Sequence, residues 1–90
     1  MMTNETFLAR LTAVEALGMD EGKMDSFTAN YTELMLDHSR DHATLQNDND
    51  RVEWEARKAL LSNLIHAEQA FIARLREKRI REGREQSEGN

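Results

Sequence analysis

Ninety residues without a single cysteine or proline make one small domain, and the missing thiols exclude disulfides, thiolate metal sites and cysteine nucleophiles. The chain is 39% hydrophobic and 32% charged, rich in Ala, Leu, Glu, Arg and Met, and free of the commonest helix breaker, so an all-α fold is expected. The net charge of −5 is uneven: residues 1–50 hold 3 basic and 10 acidic side chains and residues 51–90 hold 9 and 7, which argues against general nucleic-acid affinity and favours antiparallel pairing or a polar partner surface.

The first predicted helix is short and amphipathic and spans 4–17. Thr3 is placed to cap it, and Glu5 suits the positive end of its dipole. Phe7, Leu8, Leu11, Val14 and Leu17 follow the spacing of one apolar face. Gly18 stands where a helix commonly ends in the left-handed conformation. The N-terminal stretch MMTNETFLARL lacks the basic flank and continuous apolar run of a signal peptide, and no stretch approaches the ~20 apolar residues of a membrane span. The chain therefore reads as cytoplasmic, with no membrane partner.

Residues 18–25, GMDEGKMD, read as a connector, with Met19 and Met24 tucked beneath it. A second helix is expected over 26–46, capped by Asp25 or Ser26, with an apolar seam of Phe27, Tyr31, Leu34, Met35 and Leu45. Continuing that spacing from Leu34 lands on His38 and then on Asp41 or His42. The segment QNDND at 46–50 reads as a turn, and Asp50 with Glu53 has capping-box spacing for a third helix over 51–81. Its core stripe is Leu60, Leu61, Leu64, Ile65, Ala67, Phe71, Ile72 and Leu75. These elements form one domain over 1–82, followed by a flexible tail over 83–90.

A short turn forces the second and third helices into a long antiparallel hairpin. A turn centred in QNDND sets His38 against Ala59, Tyr31 against His66 and His42 against Glu55. The first helix covers part of the hairpin's groove, giving a three-helix bundle or half of a dimeric bundle. The third helix carries two adjacent apolar seams, as in a helix with neighbours on both sides, which suggests a homodimer or a complex with another protein.

Three clusters carry candidate chemistry. His38 and His42, four apart on one helix face, could with Glu55 hold a metal or sense pH, or simply fill the seam beside Trp54. The basic run RLREKRIREGRE offers Arg74, Arg76 and Arg79 to phosphates, but interleaved acids offset much of the charge and basic residues suit a helix C-terminus in any case. Trp54 either closes the end of the core or anchors a partner. No glycine-rich phosphate loop and no forced carboxylate pair supports catalysis, and no cofactor is implied. The leading expectation is a small non-catalytic protein-binding module: an adaptor, inhibitor or chaperone-like regulator. Its predicted binding strip is Phe71, Ile72, Leu75, Arg79 and Ile80. The alternatives are a nucleic-acid-associated regulator using the basic helix end and a histidine-based metal or pH-responsive protein.

Overall fold

Thr3 opens the first helix as its sequence predicts, its hydroxyl oxygen accepting from the Thr6 amide at 3.1 Å. The computed structural model describes residues 2–88, with side chains described over 2–84. Among the described residues all regular structure is helical: α1 Asn4–Gly18, α2 Met24–Asp41 and α3 Asp48–Glu88, with single 3-10 turns at Glu21–Lys23 and His42–Thr44. At ~1.5 Å per residue the third helix is ~60 Å long. It accounts for the long dimension of a molecule measuring 65 × 19 × 17 Å.

Several boundaries differ from the sequence reading. Neither Asp25 nor Ser26 caps α2. Asp20 accepts from Gly22 N at 2.9 Å and starts a 3-10 turn that runs straight into α2 at Met24. Met24 is half-buried, whereas Met19 stands exposed. The second helix stops at Asp41, five residues early, because the Thr44 hydroxyl donates to the Asp41 carbonyl at 2.8 Å and the chain tightens. The third helix begins three residues early. Asn47, not Asp50, accepts the capping bond, from Asp50 N at 2.9 Å, and the Asp50 carboxylate reaches back to Gln46 N at 3.2 Å. The expected tail is helical over 83–88, and residues 89–90 lie outside the described residues.

These shifts change the register. His38 meets Trp54 instead of Ala59, and Tyr31 meets Leu61 instead of His66. Each partner on α3 lies five positions earlier than the sequence suggests. The antiparallel hairpin of α2 and α3 is present, but the closest helix pairing is α1 with α2.

The core is small. Phe7 and Val14 come from α1, Phe27 and Leu34 from α2, and Leu61 from α3. Phe7 and Val14, like Phe27 and Leu34, stand seven apart, two turns along one helix face. Met2, Leu11, Leu17, Tyr31, Leu64 and Ile65 pack around them.

Gly18 is not a left-handed cap. Its φ is negative, and the helix ends through Met19 with ordinary backbone angles. A side chain there would meet Glu68 Oε2 and two Phe27 ring carbons 3.0 Å away. Glycine lets the end of α1 approach both neighbours. Gly18→Ala should therefore lower stability by about 1–3 kcal/mol in denaturant unfolding, against its gain in helix propensity. An unchanged or raised midpoint would contradict the close-approach role.

Candidate interaction surfaces

At the hairpin tip, α2 and α3 exchange side chain for backbone in both directions. The His38 ring, buried on α2, donates through Nε2 to the Trp54 carbonyl at 2.9 Å, while Trp54 Nε1 donates to the His38 carbonyl at 2.8 Å. The two rings stack with centroids 4.5 Å apart and planes within 11°. His42, one turn on and exposed, meets the same indole edge-on at 4.9 Å, and Phe7 lies 6.0 Å from His38.

This corrects the metal reading of His38, His42 and Glu55. The Nε2 of His38 is committed to a carbonyl, and the indole meets both imidazoles. Among the described residues no group of three His, Asp or Glu side chains is arranged to hold an ion. Trp54 is half-buried and closes the core's end, with Lys58 Nζ 5.7 Å from its ring, whereas Val52 beside it is exposed. A groove of about 330 Å³ between α2 and α3 is walled by Tyr31, Met35, His38, Trp54, Leu61 and Ile65. Burial pushes the Tyr31 phenol up, and its hydroxyl donates to the Leu61 carbonyl at 3.2 Å.

Two charged residues stand in the core seam of α3, and neither was singled out from sequence. Arg57 is 3% exposed. Its Nε donates to Asn4 Oδ1 at 2.8 Å, Nη2 donates to the same atom, Nη1 lies 4.0 Å from Asp41, and the guanidinium covers Phe7 at 5.7 Å. Asp41 also accepts from Met2 N at 3.1 Å, so this cluster ties the start of α1 to the ends of both other helices. On the outer face Arg10 binds Asp37 at 2.8 Å. The second residue is Glu68, 5% exposed and level with Gly18, whose Oε1 has no hydrogen-bond partner. The signal was spacing: Trp54, Arg57, Leu61, Ile65 and Glu68 follow one another at three or four residues, so both charges fall on the buried line.

The predicted binding strip lies where α3 outruns the bundle. With Tyr31 opposite Leu61, the first residue of α2 stands level with Glu68. About twenty residues of α3, ~30 Å, continue beyond it. Phe71, Ile72 and Leu75 are half-buried and Ile80 is exposed. Arg79, two-thirds exposed (66%), is paired within the chain with Glu21 of the first 3-10 turn. The phosphate candidates do not form one surface either: Arg74 and Arg76 point ~200° apart around the helix, and Arg79 is taken up by Glu21. On the other side of α3 a second groove, against α1, joins spaces of about 220 and 100 Å³ through Glu15, Leu64 and Ala67.

Among the described residues no helix is long and apolar enough to cross a membrane. The chain matches no family model, no curated protein and no solved structure.

Two predictions follow from the buried polar groups. Trp54→Phe keeps the stacked ring but removes its donor, and should lower stability by about 1 kcal/mol. Trp54→Ala should lower it by about 3–5 kcal/mol in the same denaturant titration. Equal losses would mean that the N–H bond to His38 contributes more than the ring. Burial also raises the Glu68 carboxyl above its ordinary 4.5, so the folded chain holds that proton more tightly than the unfolded one. The buried charge destabilises the fold fully above the folded pKa, and the penalty fades as pH falls through it. In dilute solution, where each chain stands alone, Glu68→Gln should unfold later than the parent at pH 7, by about 1–3 kcal/mol. The two melts should converge on acidification, and a constant gap would sink this assignment.

Proposed function

We propose that the chain is a small cytoplasmic protein-binding module, an adaptor, inhibitor or chaperone-like regulator, that works through helix–helix contacts and not through catalysis. One observation carries the reading. Beyond Glu68, α3 continues an apolar line through Phe71, Ile72 and Leu75 past the ends of α1 and α2, where among the described residues only the 21–23 turn reaches it, through Glu21 to Arg79. An isolated helix of about twenty residues is marginal in water. Phe71, Ile72 and Leu75 gain burial from a partner helix, whereas Ile80 lies on the opposite face from Phe71, and the surrounding Arg, Lys and Glu side chains supply the charged rim such a contact uses.

The test is capture from lysate of the native host with the tagged full chain after nuclease treatment. The parent chain should retain a stoichiometric protein. Leu75→Asp should lose it while circular dichroism stays unchanged. Undiminished capture would move the binding site off the overhang, and capture that disappears with nuclease would replace the protein partner with a nucleic acid.

A further inference from the structure

The groove between α1 and α3 and the free end of α3 are complementary in charge. Leu60, Leu64, Ala67 and Phe71 succeed one another at four, three and four residues along one line of α3, the repeat of a helix–helix seam. Leu11 and Glu15 of α1 form the opposite wall. Leu60 is 39% exposed, and Leu8, one turn before Leu11, is 50% exposed. Continued at the same repeat, the line changes character and becomes Arg74, Lys78, which pairs with Glu82 at 3.9 Å, and Arg81. Its apolar half is therefore flanked by carboxylates, and its outer half is cationic.

At the boundary sits a cavity of about 100 Å³ walled by Glu15, Met19, Leu64, Glu68, Phe71 and Arg74. Glu68 brings to it a carboxylate that is nine-tenths buried and has an oxygen without a partner. Among the described residues Arg74 makes no ion pair. A buried charge left unpaired is destabilising, and the ligand that relieves it is a guanidinium or ammonium on an apolar stem.

We propose that the partner of this surface is a second copy of the chain, lying antiparallel with the twofold axis beside Phe71, so that Arg74 of each copy reaches Glu68 of the other. The proposal rests on the helix–helix binding reading above and names its partner. Midway between Glu68 and Arg74 is residue 71, which fixes the axis. The two Phe71 rings then meet across it. Lys78 and Arg81 of the second copy run along the α1–α3 groove, their stems over Leu64 and Leu60 and their head groups towards Glu15. Each cationic end crosses the other copy's acidic body instead of meeting its own like. The contact is isologous and closes on itself. A foreign basic helix would satisfy one groove but leave the chain's own cationic end uncovered.

Sedimentation of the full chain over a concentration series, with and without added salt, tests this. The expected species has twice the 10.4 kDa chain mass and dissociates as salt rises. Arg74→Glu, at an exposed position, should weaken the dimer by roughly tenfold or more. Glu68→Gln should weaken it too, although the same change stabilises the lone chain. Because the parent has no cysteine, Phe71→Cys reports the axis directly. Mild oxidation should link two copies through residue 71, and Ser62→Cys should not link. A monomer at every concentration, a dimer indifferent to Arg74→Glu, or Ser62→Cys linking as readily as Phe71→Cys would overturn the proposal. A monomer that still captures a host protein through Leu75 would overturn the self-pairing alone and leave the binding reading in place.

Discussion

The reciprocal bonding of His38 and Trp54 holds the rest of the molecule in place. Each ring gives its N–H to the other residue's carbonyl, so neither helix can slide without breaking both bonds and separating a stacked pair. Each hydrogen bond contributes on the order of 1 kcal/mol and the stack about 0.5–1.5 kcal/mol. In a core that has, among the described residues, five buried hydrophobic side chains, that is a large share of marginal stability. The contact fixes the register of α3, and the register fixes everything further along. It places Arg57 beside Asn4 and Asp41, Leu61 under Tyr31, and Glu68 against Gly18. It also determines how much of α3 is left over.

The buried charges work in the same direction. A small core specifies a helix register weakly, because Leu, Ile and Ala stripes tolerate a slip of one turn. Arg57 does not tolerate it. Moved one turn, its guanidinium would leave Asn4 and Asp41 and sit unpaired in apolar surroundings. Arg57 Nη1 and Glu68 Oε1 both lack a hydrogen bond, but Arg57 faces Asp41, whereas among the described residues Glu68 has no ion-pair partner. Its unpaired oxygen and the glycine that makes room for it lie at the point where the bundle ends and the free helix begins. An unpaired buried carboxylate oxygen thus adjoins the half-buried apolar strip of Phe71, Ile72 and Leu75.

The helical class, the three elements, the Thr3 cap and most core positions were legible because they rest on local rules of spacing and capping. Register was not legible. Both Asn47–Asp50 and Asp50–Glu53 satisfy the capping pattern, and only the earlier pair is used. Thr44 closes α2 through a bond that no apolar pattern announces. A three-residue shift at one end and a five-residue shift at the other moved every cross-helix partner. His38 was placed on the buried seam correctly, whereas His42 is exposed, and the chemistry of His38 turned on which residue faced it. With Ala59 opposite, His38 would have been open to a metal; with Trp54 opposite, its nitrogen is committed. Arg57 and Glu68 were readable by extending the α3 stripe in both directions from Leu61, a step that an apolar-only reading of the seam does not take. Gly18 looked like a stop signal because helix-terminal glycines usually are, whereas here its lack of a side chain matters and its backbone freedom does not.

The central claim is the register set by His38 and Trp54, and the most direct measurement is a nuclear Overhauser spectrum of the full chain. Ring centroids 4.5 Å apart predict strong cross-peaks between the His38 imidazole and Trp54 indole protons, joined by a Tyr31 to Leu61 contact. Cross-peaks from His38 to the Ala59 methyl group, with none to Trp54, would show the hairpin shifted by five residues and would remove the basis for the overhang, the buried arginine cluster and the proposed pairing surface.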